Sequence, residues 1–269
     1  MAGLDTELAA ALKAMEASFH ARLIGTFEPD LVWAPADAEA APWLARNAPD
    51  FDQFPVKRGD ATVGVLLRGG DHSGKAVCNV MQRLRDGLIV SADMPIADLI
   101  PQLRESHYRL VLRGGRIDGL VTQSDLLKLP VRLVVFALIT HLEQVMAGVV
   151  SALWPNDSWC AELSEGRQRK INTKESALRD RGMNPPRIDL TEFSDKRDLC
   201  KLVIGGSSSR FVEELDSLRN LRDQIAHAST FIDLSDGKKG VVAFVNQFES
   251  ATRWINELTR LVAEKKATK

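Results

Sequence analysis

Three residues close together in the second half of the sequence carry side chains suited to cutting a phosphodiester bond. They are Arg222, Asp223 and His227, within the segment LRNLRDQIAH that ends at His227. An imidazole exchanges protons near neutral pH, a guanidinium stabilises charge on phosphorus, and a carboxylate four residues from the histidine can orient its ring. These residue types therefore predict phosphodiester cleavage that needs no metal ion.

The same segment also has a purely structural interpretation, which stays open from the sequence. At about 100° per residue, Arg219, Asp223 and His227 form one row on a helix, and Arg222 lies at the margin of the neighbouring apolar face. Arg219 and Asp223 can form an ordinary surface ion pair, and His227 can interact with carbonyl groups at the helix end.

A second group of polar residues follows a β-rich run and contains Gly119, Thr122 and Asp125, in the segment GLVTQSD. A carboxylate can accept both vicinal hydroxyls of a ribose, and the N-terminus of a following helix favours an anion. These residues predict a nucleotide site. The alternative is a capping pair, in which Thr122 and Asp125 begin the helix that contains Leu126.

Other candidate residues do not complete a site. The segment Gly69–Lys75 has the glycine and lysine spacing of a phosphate-binding loop, but Ala76 stands where the magnesium-binding Ser or Thr belongs, so we predict a surface loop. The other four histidines, His20, His72, His107 and His141, and the three cysteines lack ligand spacing, so we expect no metal site and no disulfide framework.

The GLVTQSD segment ends the second copy of an internal repeat. Residues 52–67 (DQFPVKRGDATVGVLL) align with residues 107–122 (HYRLVLRGGRIDGLVT) at an offset of 55 positions, the separation of Arg58 from Arg113. Each copy predicts a β-hairpin with a glycine-containing turn. A helix is predicted before each hairpin, at residues 37–48 and from Asp93, and another after it, at Lys75–Leu84 and Ser124–Val135.

Together with the segment IVSAD at residues 89–93, this repeat resembles the CBS domain, a module that works as a face-to-face pair. The resemblance covers about Leu31–Pro130 and implies an α+β CBS-domain tandem. It also implies a regulatory adenine nucleotide, which is AMP, ADP or ATP.

In such a site Asp125 would bind the ribose hydroxyls and Thr122 would lie near the phosphates, with Ser91 and Gly119 alongside. The first copy has Leu67 and Gly70 at the positions of Thr122 and Asp125. The resemblance therefore implies one nucleotide site per chain.

From Val131 onward, long helical periods replace the β-rich runs. Apolar residues at helical spacing, and proline or glycine at the breaks, predict an all-α helical bundle. Its predicted helices are Leu133–Leu153, Cys160–Arg181, Asp195–Ile204, Arg210–Ala228 and Gly240–Lys265.

This second half resembles HEPN domains, whose Arg-x4–6-His motif is matched by Arg222 and His227 with four residues between them. Asp223 matches the polar residue that follows the arginine, and Glu143 lies on the apolar first helix, as in the family. Many HEPN proteins are metal-independent endoribonucleases in which two protomers share one cleft, and they act as toxins or antiviral effectors. Others have lost catalysis and serve as binding modules.

Composition sets limits on the remaining function classes. The 269 residues carry 35 basic and 36 acidic side chains, so bulk charge does not attract nucleic acid or membranes. Arg132, His141 and Glu143 interrupt the most apolar stretch, from which we expect no membrane-spanning segment. We expect a cytoplasmic protein divided into an N-terminal helix (1–30), a CBS-like tandem (31–130) and a HEPN-like bundle (131–269).

Taken together, these patterns predict a nucleotide-regulated, metal-independent endoribonuclease, acting as a homodimer on RNA as a toxin or defence effector. The alternative is a non-catalytic nucleotide-sensing regulator whose helical half mediates dimerisation or partner binding. A third hypothesis makes the chain a toxin that a separate antitoxin protein controls.

Overall fold

The structure is a computed structural model that describes Ala10, Ala14 and residues 17–47, 49–204, 208–236 and 238–267. The chain divides into two compact units: one is formed by residues 16–131, and the other by residues from Arg132 onward together with Ala10 and Ala14 of the described N-terminal residues. Of the predicted N-terminal helix, residues 1–30, the structure describes Ala10 and Ala14, which are helical, and residues 17–30; residues 1–9, 11–13, 15 and 16 lie outside the described residues. From His20 onward it is replaced by a 3-10 turn, Ala21–Leu23, and a short strand, because this segment pairs with a sheet.

The first unit contains two four-stranded sheets, ordered β2-β3-β4-β5 and β1-β8-β7-β6. Helices α1 (Ala40–Arg46), α2 (Val77–Val80) and α3 (Ile96–Gln102) connect the strands. The strands are β1 Thr26–Phe27, β2 Ala34–Pro35, β3 Gln53–Arg58, β4 Ala61–Leu67, β5 Gln82–Arg83, β6 Ile89–Ser91, β7 Tyr108–Arg113 and β8 Arg116–Thr122.

The predicted repeat is confirmed at the level of the backbone. Both hairpins, β3-β4 and β7-β8, form with the same offset, and each has a register shift at equivalent positions, Val56/Lys57 and Val111/Leu112. The turn glycines Gly59 and Gly114 have φ angles of 58° and 57°. L-residues with side chains adopt this left-handed region at an energetic penalty, so glycine suits both turns.

A second glycine in each hairpin leaves room for a crossing strand. A Cβ atom on Gly119 would lie 2.3 Å from the Phe27 ring, and one on Gly64 would lie 2.4 Å from the Gln82 carbonyl oxygen. These partners belong to β1 and β5, the two-residue strands that complete the sheets at equivalent edges. The absence of a side chain at both glycines therefore allows β1 to pair with β8 and β5 to pair with β4.

Two predicted helices of the repeat differ from the structure. Within Lys75–Leu84 only α2 is helical, and Gln82–Arg83 forms β5, because hydrogen bonding to β4 outweighs the local helical pattern. The segment Ser124–Val135 is split into a 3-10 turn, Gln123–Leu127, and the start of a longer helix. Lys128 separates them with extended backbone angles, φ −68° and ψ 152°.

The second unit consists mainly of five helices, the first of which begins at Leu129, just before the boundary between the units. They are α4 Leu129–Leu153, α5 Glu165–Arg179, α6 Phe193–Ile204, α7 Ser208–Ala226 and α8 Lys238–Ala267. The predicted start of α5 at Cys160 is wrong, because Pro155–Glu162 forms 3-10 turns. Asn156 and Asp157 adopt left-handed angles there, with φ of 54° and 55°, which interrupts the helix.

The apolar face predicted for α7 is confirmed, since Phe211, Leu215, Leu218, Leu221 and Ile225 are all buried. Burial of such side chains stabilises a fold by about 1.5–3 kcal/mol each. This face fixes the rotation of α7 about its axis and therefore the position of the polar residues beside it.

Among the described residues, α4 is the helix that is long and apolar enough to cross a membrane by length and composition. Its most apolar 18-residue window has a mean hydropathy of 1.9, and half of that window is buried within the protein. Arg132, His141 and Glu143, from which we expected no membrane-spanning segment, all lie on this helix, and a buried core helix of a protein without membrane contact has the same length and composition.

Candidate functional site

The Arg-His motif lies at the C-terminal end of α7. Because Leu221 and Ile225 point into the core, Arg222 lies at the margin of the buried face, with 26% of its side chain exposed. Asp223 is exposed, and His227 follows the last helical residue with its side chain exposed. The residues predicted for catalysis are therefore accessible from solvent.

The Arg222 guanidinium is held by three neighbours. Its Nη1 donates to Glu143 Oε2 at 2.9 Å, and its Nη2 donates to Asp223 Oδ1 at 3.1 Å. The guanidinium carbon also lies 5.4 Å from the centre of the Phe193 ring, within the range of a cation–π contact. The contacts come from α4, α6 and α7 itself, so the guanidinium has a defined orientation.

Glu143 joins this arginine to a buried lysine. Lys196 Nζ donates to Glu143 Oε1 at 3.1 Å and to the Thr191 carbonyl at 3.0 Å, and its side chain is only 5% exposed. We call Glu143, Lys196, Arg222 and Asp223 the charged cluster. It balances two cations against two carboxylates, which is how a buried ammonium avoids a large desolvation penalty.

The predicted partners of Asp223 and Arg219 differ from those in the structure. Asp223 contacts Arg222, and the His227 imidazole has no hydrogen-bond partner in the described part of the chain. Arg219 pairs with Asp216 at 3.7 Å instead of with Asp223. The reason is that the Arg222 guanidinium, on the neighbouring residue, occupies the Asp223 carboxylate in place of Arg219 and His227.

The end of α7 determines where His227 lies. Ser229 N–H donates to the Gln224 carbonyl at 2.9 Å and Ala228 N–H donates to the Ile225 carbonyl at 3.1 Å, the two bonds of a Schellman motif. Ala228 takes the left-handed angle φ 53° that this motif requires. The chain therefore turns away directly after His227 and leaves the imidazole in solvent.

Thr122 and Asp125 form the capping pair that the sequence allowed. The Asp125 carboxylate accepts the Thr122 backbone N–H at 2.6 Å and the Thr122 hydroxyl at 3.1 Å, and it pairs with Lys128 Nζ at 2.7 Å. The Thr122 hydroxyl also lies 2.8 Å from the Ser124 hydroxyl. Asp125 is buried, so β8 and the following 3-10 turn hold these polar groups in place.

The same residues form one edge of a cleft of about 200 Å³ inside the first unit. Its apolar lining includes Leu31, Phe54 and Leu120, and the other polar edge is Asp50–Gln53 from the first copy of the repeat. The structure thus brings Thr122 and Asp125 together beside a concave surface. The contribution of Asp50–Gln53, just before and at the start of β3, was not predicted, because these residues match no binding motif.

Ser91 and Gly119, the two other residues predicted for this site, do not line the cleft. The Ser91 hydroxyl accepts the Asp93 backbone N–H at 3.1 Å, which is a local turn contact. Gly119 packs against the Phe27 ring, as described above. The structure thus shows a turn contact for Ser91 and a packing contact for Gly119, and their predicted part in nucleotide binding stays a prediction.

Arg68 organises the loop that provides the second edge of the cleft. Its guanidinium donates to the carbonyls of Leu44 and Asn47 at 3.1 Å each, and to that of Phe51 at 2.6 Å. In the repeat, Arg68 occupies the position of Gln123, which donates to the Leu103 carbonyl at 2.8 Å. The role of Arg68 was not predicted from the sequence, although its position in the repeat, equivalent to that of Gln123, was a signal for it.

In the predicted surface loop Gly69–Lys75, the lysine forms an ion pair within the loop. Lys75 Nζ lies 3.0 Å from the Asp71 carboxylate, and the helix that follows, α2, has only four residues. Among the described residues, there is also no group of three His, Cys, Asp or Glu side chains arranged to hold a metal ion.

A separate ion-pair group stabilises the helical unit away from the motif. Arg167 donates to Asp195 Oδ1 and to Glu192 Oε1 at 2.8 Å each. The hydrogen bond from Arg167 lowers the pKa of Glu192.

A second group of this kind surrounds Glu214. Burial favours a higher pKa for Glu214, but hydrogen bonds from Arg210, Trp254 and Arg253 lower its pKa overall.

Comparison with known proteins locates one family within the chain. Residues 77–132 match the CBS domain family, and no curated protein matches the sequence. One similar solved structure is the CBS domain of a bacterial CNNM/CorC family Mg²⁺ transporter in complex with ATP. It has 23% identity and a TM-score of 0.36, and the match covers 45% of this chain and 92% of that one.

A second similar structure is the CBS-pair protein CBSX2 from Arabidopsis thaliana, at 15% identity and a TM-score of 0.37. The match covers 43% of this chain and 96% of that one. The family match coincides with the second copy of the repeat, whose hairpin and polar edge are described above. The first unit therefore contains a CBS domain within an α+β region of CBS type, and a helical C-terminal region follows it.

Proposed function

We propose that this protein is an adenine-nucleotide-regulated, metal-independent endoribonuclease, in which the CBS-type unit binds the regulator and the helical unit cleaves RNA. The observation that carries the proposal is the end of α7. There the Arg222 guanidinium is fixed by Glu143, while the exposed His227 imidazole has no partner in the described part of the chain. A fixed cation beside a free acid-base group suits phosphodiester chemistry.

The proposed reaction uses the 2′-hydroxyl of RNA as the nucleophile. His227 accepts the hydroxyl proton as the oxygen attacks the adjacent phosphorus, and an imidazolium protonates the 5′-oxygen as the P–O bond breaks. Arg222 stabilises the extra negative charge on the phosphoryl oxygens. The products are a 2′,3′-cyclic phosphate and a 5′-hydroxyl end.

This scheme explains why we propose a homodimer. One turnover needs a base and an acid on opposite sides of the phosphorus, and each chain supplies a single His227. Two copies that share one groove would supply both groups, together with two Arg222 guanidinium groups. A monomer would have to use the same imidazole for both proton transfers.

The regulatory part of the proposal rests on the cleft beside Thr122 and Asp125. The Asp125 carboxylate can accept ribose hydroxyls in addition to its cap, and the apolar side chains of Leu31 and Phe54 offer a surface for a base. The proposed ligands are AMP, ADP or ATP, and no metal cofactor is part of the mechanism.

The test is RNA cleavage by the purified full-length chain in EDTA, with and without adenine nucleotide. We expect cyclic-phosphate products from the wild type and a loss of at least about 100-fold for His227→Ala, the usual contribution of a general acid or base. Arg222→Ala should lose as much. Arg219→Ala is the matched control on the same helix and should cleave like the wild type. Wild-type cleavage by His227→Ala would exclude this active site.

A second candidate function is a non-catalytic, nucleotide-sensing regulator. The Glu143–Arg222 pair favours it, because a guanidinium already neutralised by a carboxylate binds phosphate less strongly. In that case the helical unit would mediate dimerisation or bind a partner protein, such as an antitoxin. The expected result is that the wild type does not cut RNA, while nucleotide changes its affinity for itself or for the partner.

A further inference from the structure

We propose that the cleft beside Asp125 ranks adenine ligands by the charge of their 5′ substituent, so that AMP, ADP and ATP bind more weakly there than adenosine or an analogue with a cationic 5′ substituent. This inference rests on the proposed adenine site and ranks the ligands that the site takes. It is carried by the acidic side chains that line the cleft together with Thr122.

The shape and the lining of the cleft suit a small ligand. Leu31, Phe54 and Leu120 provide apolar surface, while the hydroxyls of Thr122 and Ser124 and the carboxylate of Asp125 converge at one edge. Pockets of this kind combine an apolar lining with a few polar groups that orient the ligand. Phe51 also lines the cleft with half of its surface exposed, which offers an aromatic face for a base.

The charge of the lining is one-sided. Asp30, Asp50 and Asp52 line the cleft in addition to Asp125, and no Lys, Arg or His is among the described residues that do so. Lys128 balances Asp125, with Nζ 2.7 Å from its carboxylate. Within the described chain, the other three carboxylates are exposed and have no ion-pair partner. The Arg68 guanidinium, which donates to the Phe51 carbonyl, is one cation against these three carboxylates, so the cleft keeps a net negative charge.

A negative potential acts on the part of the ligand that extends from the ribose. If Asp125 accepts the ribose hydroxyls, the 5′ substituent lies within the field of the neighbouring carboxylates. Charges of the same sign repel each other, and salt screens the repulsion. A phosphate is disfavoured there, whereas an amine is favoured and a hydroxyl is tolerated.

The experiment is a charge series measured by calorimetry on the full-length chain in EDTA, so that no divalent cation neutralises the phosphates. The probes are 5′-amino-5′-deoxyadenosine, adenosine, AMP and ATP. We expect affinity to fall in that order, with AMP at least about tenfold weaker than adenosine at low salt. At high salt the difference between adenosine and AMP should shrink.

Two variants test whether the carboxylates of the cleft cause the difference between adenosine and AMP affinity. In the double variant Asp50→Asn/Asp52→Asn, the ratio of AMP to adenosine affinity should rise several-fold toward unity. Asp60→Asn removes one carboxylate at the tip of the β3-β4 turn, away from the cleft, and should leave that ratio unchanged.

The outcomes separate this inference from the proposed function. If AMP or ATP binds more tightly than adenosine, the selectivity is wrong while the adenine site stands. If adenosine binds best but the double variant does not change the ratio, the carboxylates are not its cause and the inference fails. If none of the four compounds binds, both the inference and the proposed regulation are wrong.

Discussion

The two units each hold a carboxylate that is paired with a lysine, but the two arrangements differ in how far apart the partners are in the sequence. Asp125 is held by Thr122 and Lys128, both within three residues. Glu143 is held by Lys196 and Arg222, which are 53 and 79 residues away. The first arrangement is a cap at the end of a strand, and the second joins three helices.

This difference has consequences for energy and for function. A local cap orders one turn, and its lysine is exposed and keeps a hydrogen bond to the Ile24 carbonyl when the carboxylate is removed. Removal of the cap therefore affects little beyond that turn. The charged cluster leaves Lys196 buried, and an unpaired buried ammonium is strongly unfavourable. The cluster also orients Arg222, so in the helical unit stability and the proposed active site depend on the same carboxylate.

Glu143→Ala should give the largest change in stability. Removing the carboxylate leaves Lys196 with only the Thr191 carbonyl, and breaking a buried pair typically costs about 3 kcal/mol. Urea unfolding of the full chain measures the change. Glu165→Ala, at an exposed position on α5, is the control and should change stability by less than about 0.5 kcal/mol. An equally small effect of Glu143→Ala would show that the cluster is dispensable.

Acidification should lower the stability of the helical unit by less than Glu143→Ala does. The pKa values of Glu192 and Glu214 lie below their usual range in the folded state, so both carboxylates stabilise the fold above about pH 4.5. That contribution is lost as pH falls through their lowered pKa values. Thermal unfolding measured between pH 6 and pH 3 should therefore show a falling melting temperature. Arg167→Met should make that fall shallower, because it removes the bond to Glu192, and an unchanged slope would contradict the assignment.

Asp125→Ala should have a modest effect on stability and a large one on ligand binding. Loss of a capping side chain costs about 1 kcal/mol, well below the effect expected for Glu143→Ala. The same substitution removes the proposed ribose acceptor, so adenosine binding should be lost. Circular dichroism during urea unfolding and calorimetry measure the two effects. A loss of stability as large as that of Glu143→Ala would remove the contrast between the two units.

Ala228→Gly should give the smallest change in stability, and it should stabilise the protein instead of destabilising it. Ala228 adopts a left-handed backbone at the end of α7, and glycine is favoured there by about 0.5–1 kcal/mol. The unfolding midpoint should rise while RNA cleavage stays at the wild-type level. A destabilised variant would mean that the Ala228 methyl group makes a contact that outweighs the backbone preference.

Much of the first unit follows from local patterns. The β-hairpins were predictable because alternating apolar residues and turn glycines act within a few positions. Thr122 and Asp125 were identified for the same reason, since a cap involves residues three apart. Strand β5 could not be predicted, because its two residues owe their conformation to pairing with β4 and carry no periodic pattern of their own.

The candidate sites were only partly predictable. Arg222 and His227 could be singled out by residue type and spacing, and Glu143 was conspicuous as a charge within an apolar helix. Nothing near Glu143 in the sequence pointed to Lys196, and nothing near Arg68 pointed to the carbonyls of Leu44, Asn47 and Phe51. These contacts depend on how separate elements pack.

Local sequence was therefore sufficient for the duplicated hairpins, the helical character of the second half and the candidate motif residues. Tertiary structure alone decided that Asp50–Gln53 faces Thr122 across a cleft and that Glu143 binds both Lys196 and Arg222. The physical reason is that hydrophobic periodicity reports which side of an element is buried. It does not report which other element covers that side, and both the acidic cleft and the charged cluster are made from such pairings.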